Sequence, residues 1–249
     1  MSRSEKFRLD QLLVERGLAD TRTRAQALIM SGAVFSSEQR LDKPGHKLAD
    51  DTPLEVRGRD HPWVSRGGVK LAHALDHFQL SPDGKTCLDI GASTGGFTDV
   101  LLQAGAARVY AVDVGHGQLD WKLRNDDSVV VLEKTNARHL TVEEVPEAVD
   151  LITCDASFIG LETVLPAALA LAAPAVHLIA LIKPQFEVGK GQVGKGGVVR
   201  DPALHQQVQA RIEAWLGKQP SWRVLGVTES PITGPQGNRE FLIAGARSV

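Results

Sequence analysis

Only two cysteines occur in 249 residues, at Cys87 and Cys154. Standing 67 positions apart, they can form neither a disulfide framework nor a four-ligand zinc site by themselves. No apolar run approaches the ~18 residues that a membrane-spanning helix requires. The first ten residues, MSRSEKFRLD, lack the apolar core of a signal peptide. Signal-directed secretion and membrane insertion are therefore not expected, and a cytoplasmic location is. Internal repeats and low-complexity tracts are absent. So is any large excess of one charge: 28 Lys and Arg stand against 30 Asp and Glu, a net −2. Near-neutrality argues against strong non-specific affinity for nucleic acid, but not against binding through a few placed residues. What is present is a chain that is 43% hydrophobic and 23% charged. A chain this long can bury roughly 70–75% of its unfolded surface. That is enough for one medium domain with a small appendage.

Charge and hydrophobic patterning divide the chain. Residues 1–70 hold 13 Lys and Arg against 10 Asp and Glu, so the remainder is acidic. Leu9, Leu12, Leu13 and Arg16 follow a helical period, with Gly17 placed for a left-handed cap. Asp20 or Thr21 can cap a second helix carrying Arg22, Arg24, Ala27, Leu28 and Ile29, closed by Gly32. Short β-like pieces follow at 33–35 and 54–57, and a Gly/Pro/Arg-rich linker begins near Arg57. These features predict a small α+β domain over 1–60, a linker over 61–68 and a large domain over 69–249. In the large domain, unalternating apolar runs lie at 86–90, 108–113, 129–132, 150–154 and 177–182. Helix-compatible stretches span 160–173 and 203–216. Such strands are buried on both faces, as in a parallel sheet flanked by helices. Two final strands, 223–228 and 239–244, are joined too closely for a helical crossover and must be antiparallel. The expected fold is thus α/β, a Rossmann-like methyltransferase sheet with a reversed last strand.

The segment LDIGASTGGFTD (88–99) reads as a strand, a glycine-rich turn and a helix start. Glycines there let the backbone approach a ligand beside a helix N-terminus. Its spacing differs from the dinucleotide fingerprint, because Ser93 stands where the second glycine belongs. The next strand ends in Asp113, where a carboxylate can accept hydrogen bonds from a ribose. NAD and S-adenosylmethionine both carry a ribose, and simple structural turns are a third reading. Asp89 favours S-adenosylmethionine, since a carboxylate can hold the cationic methionine end but repels pyrophosphate. The cofactor set is Asp89, Gly91, Ala92, Ser93, Gly95, Gly96, Phe97, Thr98, Asp113 and Asn136.

Other patterns carry less. Residues 189–196 nearly spell a phosphate-binding loop, but Gly196 replaces the Mg²⁺-binding hydroxyl and no helix opens directly after it. A basic flap carrying Lys190 and Lys195, or a merely solvated loop, is the better reading. His73 and His77 have zinc-compatible spacing but no third ligand in view, so no metal is expected. The two cysteines lie in apolar strands and read as buried core thiols. Trp63, in the linker, reads as a packing residue or a base-stacking one.

Four polar residues stand at informative places: Lys70 near a helix start, Asp155 and Lys183 at strand C-termini, and Glu240 at the start of the reversed strand. All four fall at the edge where open α/β sheets bind ligands. A structural ion-pair network and a reaction centre are both open from position alone.

The segments SRGGVKL (65–71), LDIGASTGGFTD, CDASFI (154–159), LIKPQFE (181–187), GVVRDP (197–202) and GNREFL (237–242) together resemble the FtsJ-like RNA ribose 2′-O-methyltransferases. With RLDQLLVERGL (8–18) added, the whole chain is similar to the TlyA, or haemolysin A-like, family. The first part resembles the S4-type RNA-binding module, although its usual Val-Asn-Gly turn is here Phe35-Ser36-Ser37-Glu38. The resemblance implies a Lys70–Asp155–Lys183–Glu240 tetrad, S-adenosylmethionine as methyl donor and rRNA or ribosomal subunits as partner, with cytidine as target. Arg8, Arg22, Arg24, Arg57, Arg66, Lys190 and Lys195 are the expected RNA contacts. The family's older label keeps a membrane-active haemolysin as the alternative, and the glycine loop keeps an NAD-dependent oxidoreductase.

Overall fold

The computed structural model describes residues 6–19, 21–56 and 61–248. Asp20 and Arg57 lie outside the described residues, as does the side chain of Lys190. Contacts divide the chain into two compact units, Met1–Pro62 and Trp63–Val249.

The first unit is built from β1 (Lys6–Arg8), α1 (Leu9–Glu15), α2 (Arg22–Met30), β2 (Val34–Ser36), β3 (Gln39–Arg40), β4 (Lys47–Ala49) and β5 (Glu55–Val56). Thr21 is the cap of α2: its hydroxyl accepts from the Arg24 N–H at 3.1 Å. Gly17 and Gly32 follow the two helices with φ of 68° and 76°, as the cap positions predicted. Leu9, Leu13, Ala25, Ile29, Val34 and Leu41 form one apolar core under these short elements. β1 pairs with β4, and β2 is flanked by β3 and β5, all antiparallel. The departure from the usual turn is accommodated, because Ser37 takes a left-handed φ of 53° between β2 and β3.

The second unit opens with α3 (Gly67–His77) and continues through β6 (Thr86–Ile90), α4 (Gly96–Gln103), β7 (Arg108–Val112), α5 (Trp121–Arg124) and β8 (Val129–Leu132). It then runs β9 (Val149–Cys154), α6 (Leu161–Ala170), β10 (Ala172–Ile182), α7 (Pro184–Glu187), α8 (Pro202–Gly217), β11 (Trp222–Glu229) and β12 (Phe241–Arg247). The seven strands lie in the order β11-β12-β10-β9-β6-β7-β8. β8, β7, β6, β9 and β10 are mutually parallel, and β12 is antiparallel to both β10 and β11. This is the methyltransferase sheet with its reversed last strand. The chain runs outward from β6 through β7 to β8, then returns to β9 on the other side of β6. The topological switch point, where such sheets bind ligands, therefore falls between β6 and β9. One apolar layer, with Leu71, Phe97, Leu101 and Leu242, covers one face. A larger layer, with Ile152, Leu165, Val208 and Ile212, covers the other.

Several boundaries differ from the sequence pattern. The last strand spans Phe241–Arg247 rather than 239–244, so Glu240 lies just before it and not within it. The α6–β10 border moves most. The helix expected to reach residue 173 ends at Ala170, and β10 begins at Ala172. Its alanines favour helix, but Pro174 cannot continue one. The register against β9 shifts between Ala172 and His177, the kind of irregularity that tolerates a strand proline. Arg247 donates to the carbonyls of Ala172 and Ala173 there, satisfying acceptors at the irregular stretch. Also unexpected is α7, which separates Lys183 from the glycine-rich segment at 189–197.

Candidate active site

At the C-terminal edge of β6, Gly91 takes a φ of 79°. A Cβ there would come within 2.9 Å of the Ala156 backbone, so only glycine lets the ends of β6 and β9 approach this closely. Gly96 permits a second close approach, because a Cβ there would overlap the Ser65 hydroxyl and press on the Gly68 nitrogen. The start of α4 is thereby packed against the start of α3, which carries Lys70.

Beneath the loop lies Asp89, fully buried. It accepts hydrogen bonds from the hydroxyls of Thr98 at 2.7 Å and Thr153 at 3.0 Å. Burial pushes its carboxyl up to about 6, against the lowering effect of those two hydroxyls. Asp89 is thus a strut under the glycine turn and lies outside the wall of the cavity described next. Thr98 and Phe97 are buried in α4, and Ala92, Gly95 and Gly96 are buried around the turn.

A cavity of about 610 Å³ opens above the switch point. From the expected cofactor set, Gly91, Ser93, Asp113 and Asn136 line it. Asp113 accepts from the backbone N–H of Ser93 at 2.8 Å and of Gly115 at 2.7 Å, tying the glycine turn to the end of β7. Asn136 accepts from the Arg138 backbone and from its Nε, each at 3.2 Å. Glu133 accepts from the N–H of the lining residue Gln118 at 3.2 Å and from Arg124 at 2.5 Å. The Gly117 N–H, with help from Arg124, keeps its carboxyl down to about 2. The walls include Ile90, Val112, Ala137 and Ile159, and the carboxylates present are Asp113 and Asp155. Volume and apolar lining suit a nucleoside-sized ligand. Two carboxylates against one cation in the lining, Arg138, favour a ribose and a cationic group over a diphosphate. The residues therefore fit S-adenosylmethionine.

Asp155 joins this cavity to an ion-pair chain. The Lys183 Nζ lies 2.6 Å from Asp155 Oδ1, and Lys70 Nζ lies 3.8 Å from Oδ2. Lys70 also donates to Glu240 Oε2 at 2.7 Å. The structure thus brings together all four residues named from sequence, in the order Lys183–Asp155–Lys70–Glu240. Lys70, Lys183 and Glu240 are buried, whereas Asp155 is partly exposed. Two further groups hold the chain in place. The Ser157 hydroxyl accepts from Lys183 at 2.9 Å, beside a 3.0 Å bond to the Asp155 carbonyl. Gln185 donates to Glu240 Oε1 at 3.1 Å. Ser157 and Gln185 escaped sequence reasoning, although each lies two positions beyond a tetrad member in a segment already singled out. Phe158, on the cavity rim, is 89% exposed with a φ of 65°, its ring 4.8 Å from that of Phe186.

The expected RNA contacts are dispersed. In the first unit, Arg24 is exposed, while Arg8 and Arg22 both bond Asp10. In the second, Arg66 is exposed and donates to the Thr233 carbonyl, and Lys195 is exposed on the glycine-rich segment. His73 and His77 stack on each other, and among the described residues no group of three or more His, Cys, Asp or Glu could hold a metal ion. Both cysteines are buried, and burial raises each thiol to about 12. Trp63 packs against the α3 and α4 apolar layer.

Comparison with known proteins supplies the lineage. Residues 63–247 match the FtsJ-like methyltransferase family and residues 7–51 the S4 domain. The chain is 49% identical over 241 residues to the 16S/23S rRNA (cytidine-2′-O)-methyltransferase TlyA of Mycobacterium tuberculosis, covering 96% of this chain and 90% of that one. It is 40% identical over 242 residues to Hemolysin A of Brachyspira hyodysenteriae, covering 95% and 98% of the two chains. A solved structure of a provisionally named hemolysin from Streptococcus thermophilus matches with a TM-score of 0.77 at 42% identity, covering 99% of this chain and 90% of that one. The chain belongs to the FtsJ-like methyltransferase family, in the S4-bearing group that includes TlyA and Hemolysin A.

Proposed function

We propose that the protein is a cytoplasmic S-adenosylmethionine-dependent methyltransferase acting on the 2′-hydroxyl of cytidine in rRNA. The observation that carries this reading is the Lys183–Asp155–Lys70–Glu240 chain, whose Asp155 borders the cavity at the switch point. The names of the relatives at 49% identity support the substrate.

Gly91, Ser93, Asp113 and Asn136 would hold the cofactor, with Asp89, Ala92, Gly95, Gly96, Phe97 and Thr98 fixing the turn behind them. Bound there, S-adenosylmethionine supplies a methyl group on a cationic sulfur, open to in-line attack. The protein's task is then to align a ribose hydroxyl and relieve it of its proton. Lys183 Nζ is assigned to that hydroxyl: as the ammonium paired with Asp155 it stabilises the developing alkoxide, and it takes up the proton only where it has first released its own to solvent. Asp155 and Ser157 fix its direction. Lys70 holds the other Asp155 oxygen, and Glu240 compensates Lys70 in turn. Removing one partner would leave a buried charge uncompensated, so the four act as a unit. Arg8, Arg22, Arg24, Arg57, Arg66, Lys190 and Lys195 are assigned to RNA phosphates. A pore-forming or dehydrogenase reading has no comparable site geometry in its favour.

The test is Lys183→Ala. Calorimetry should give S-adenosylmethionine affinity within about threefold of the parent chain, with no binding of NAD by either. Methyl transfer should fall by ~10³-fold or more, in line with loss of the group that activates the hydroxyl together with its positioning. Near-normal turnover in this variant contradicts the assignment.

A further inference from the structure

The first unit contains a wholly buried carboxylate whose partners come from neighbouring elements. Asp10, in the first turn of α1, is fully buried. Its Oδ1 accepts from Arg8 Nε at 2.9 Å, and its Oδ2 from the Arg8 terminal nitrogen at 2.9 Å, a two-pronged clasp. The same Oδ2 accepts from Arg22 Nε at 2.9 Å and from the Gln26 amide at 2.8 Å. Arg8 ends β1, whereas Arg22 and Gln26 lie one turn apart on α2. One carboxylate therefore fixes two cationic heads from separate elements. Both arginines stay accessible, with side chains 39% and 52% exposed. The Arg8 guanidinium, chief among these donors, holds the Asp10 carboxyl well below the usual range, so it is ionised throughout the physiological span.

We propose that Asp10 is a positioning residue for RNA binding, presenting Arg8 and Arg22 as a pre-ordered pair of phosphate-binding heads. The inference rests on the rRNA reading above. An unpaired arginine loses rotamer freedom when it grips a phosphate; one already clasped at Nε has lost much of it beforehand. Guanidinium recognition is also directional, so a fixed fork binds a phosphate better than a freely moving one.

Positioning and the overall field predict effects of opposite sign. Asp10→Asn removes one negative charge from the RNA-binding unit, and charge alone would tighten RNA binding. Positioning instead requires weaker binding. The experiment is filter binding of the full chain to transcribed small- and large-subunit rRNA across a KCl series. Four chains are compared: the parent, Asp10→Asn, the double variant Arg8→Gln/Arg22→Gln, and the triple variant. Asp10→Asn is expected to bind about tenfold more weakly, the loss of roughly one charge-assisted hydrogen bond. Its log–log salt slope should be shallower by roughly 0.7–0.9 for each phosphate no longer gripped. In the double-arginine background the Asp10 effect should vanish, as it must if Asp10 acts only through those side chains. Equal or tighter binding by Asp10→Asn overturns the proposal, as does an undiminished effect in that background. If thermal melting shows that Asp10→Asn does not fold, Gln26→Leu replaces it. That variant keeps the carboxylate and should cost about two- to fivefold, again only where the arginines are present; no loss with the arginines intact overturns the proposal. Failure of the parent chain to bind any rRNA would instead remove the functional reading, and this inference with it.

Discussion

Burial sets Asp89 against its own charge. Its folded carboxyl titrates near 6, while an unfolded aspartate titrates near 3.9. The folded state therefore binds the proton more tightly, and its contribution to stability is fully present below about pH 4. That contribution is lost as pH rises through about 6. The difference amounts to on the order of 3 kcal/mol, spread over about two pH units. Denaturant titrations should show the parent chain losing stability relative to Asp89→Asn between pH 4 and 6; parallel curves would show that the strut is not strained. Glycine imposes a different constraint at Gly234, where a Cβ would overlap the Glu240 carboxylate. Gly234→Ala should displace Glu240 from Lys70 and cut kcat by up to ~100-fold. Cofactor affinity, measured by calorimetry, should hardly change. At this scale the charged tetrad was legible, because strand ends and a family resemblance converged on it. Ser157 and Gln185 were not, since a loop serine and a glutamine in a four-residue helix are unremarkable in sequence and their partners emerge only in three dimensions. Asp89 reads from sequence as the carboxylate that holds the cationic methionine end, but the structure buries it beneath the turn, bonded by the hydroxyls of Thr98 and Thr153, a placement that no spacing reveals.

Among the elements, those with a strong periodic or continuous pattern were readable to within a few residues. The five parallel strands are apolar on both faces because both are covered by helices, and no other common arrangement demands that. The border between α6 and β10 was not readable, because the alanine run that favours helix locally is overridden by Pro174 and by the pairing available on both sides. Similarly, α7 is only four residues long, too short to leave a period. Helix caps were legible where the side-chain chemistry is direct. Thr21→Ala removes the bond to the Arg24 N–H and should destabilise the first unit by about 1 kcal/mol. A local melting transition followed by hydrogen exchange on α2 measures this, and unchanged protection would mean that packing alone holds the helix start.

Across the whole molecule, a net charge of −2 conceals a slightly basic first part and an acidic remainder. On the function proposed above, binding to RNA depends on placed groups rather than on a global field, and so on how they are held. Each unit carries a carboxylate that governs cations: Asp10 clasps Arg8 and Arg22, and Asp155 lies between Lys70 and Lys183. Among the described residues, no helix is long and apolar enough to cross a membrane. Methyl transfer to a ribose is read out by incubating the full chain with methyl-labelled S-adenosylmethionine and unmodified rRNA, followed by alkaline digestion. A methylated 2′-oxygen cannot attack the neighbouring phosphate, so label should persist in alkali-resistant dinucleotides beginning with cytidine, and Lys183→Ala should yield none. Label recovered only on free bases or mononucleotides, or no transfer to any rRNA or subunit, would exclude ribose 2′-O-methylation by this protein.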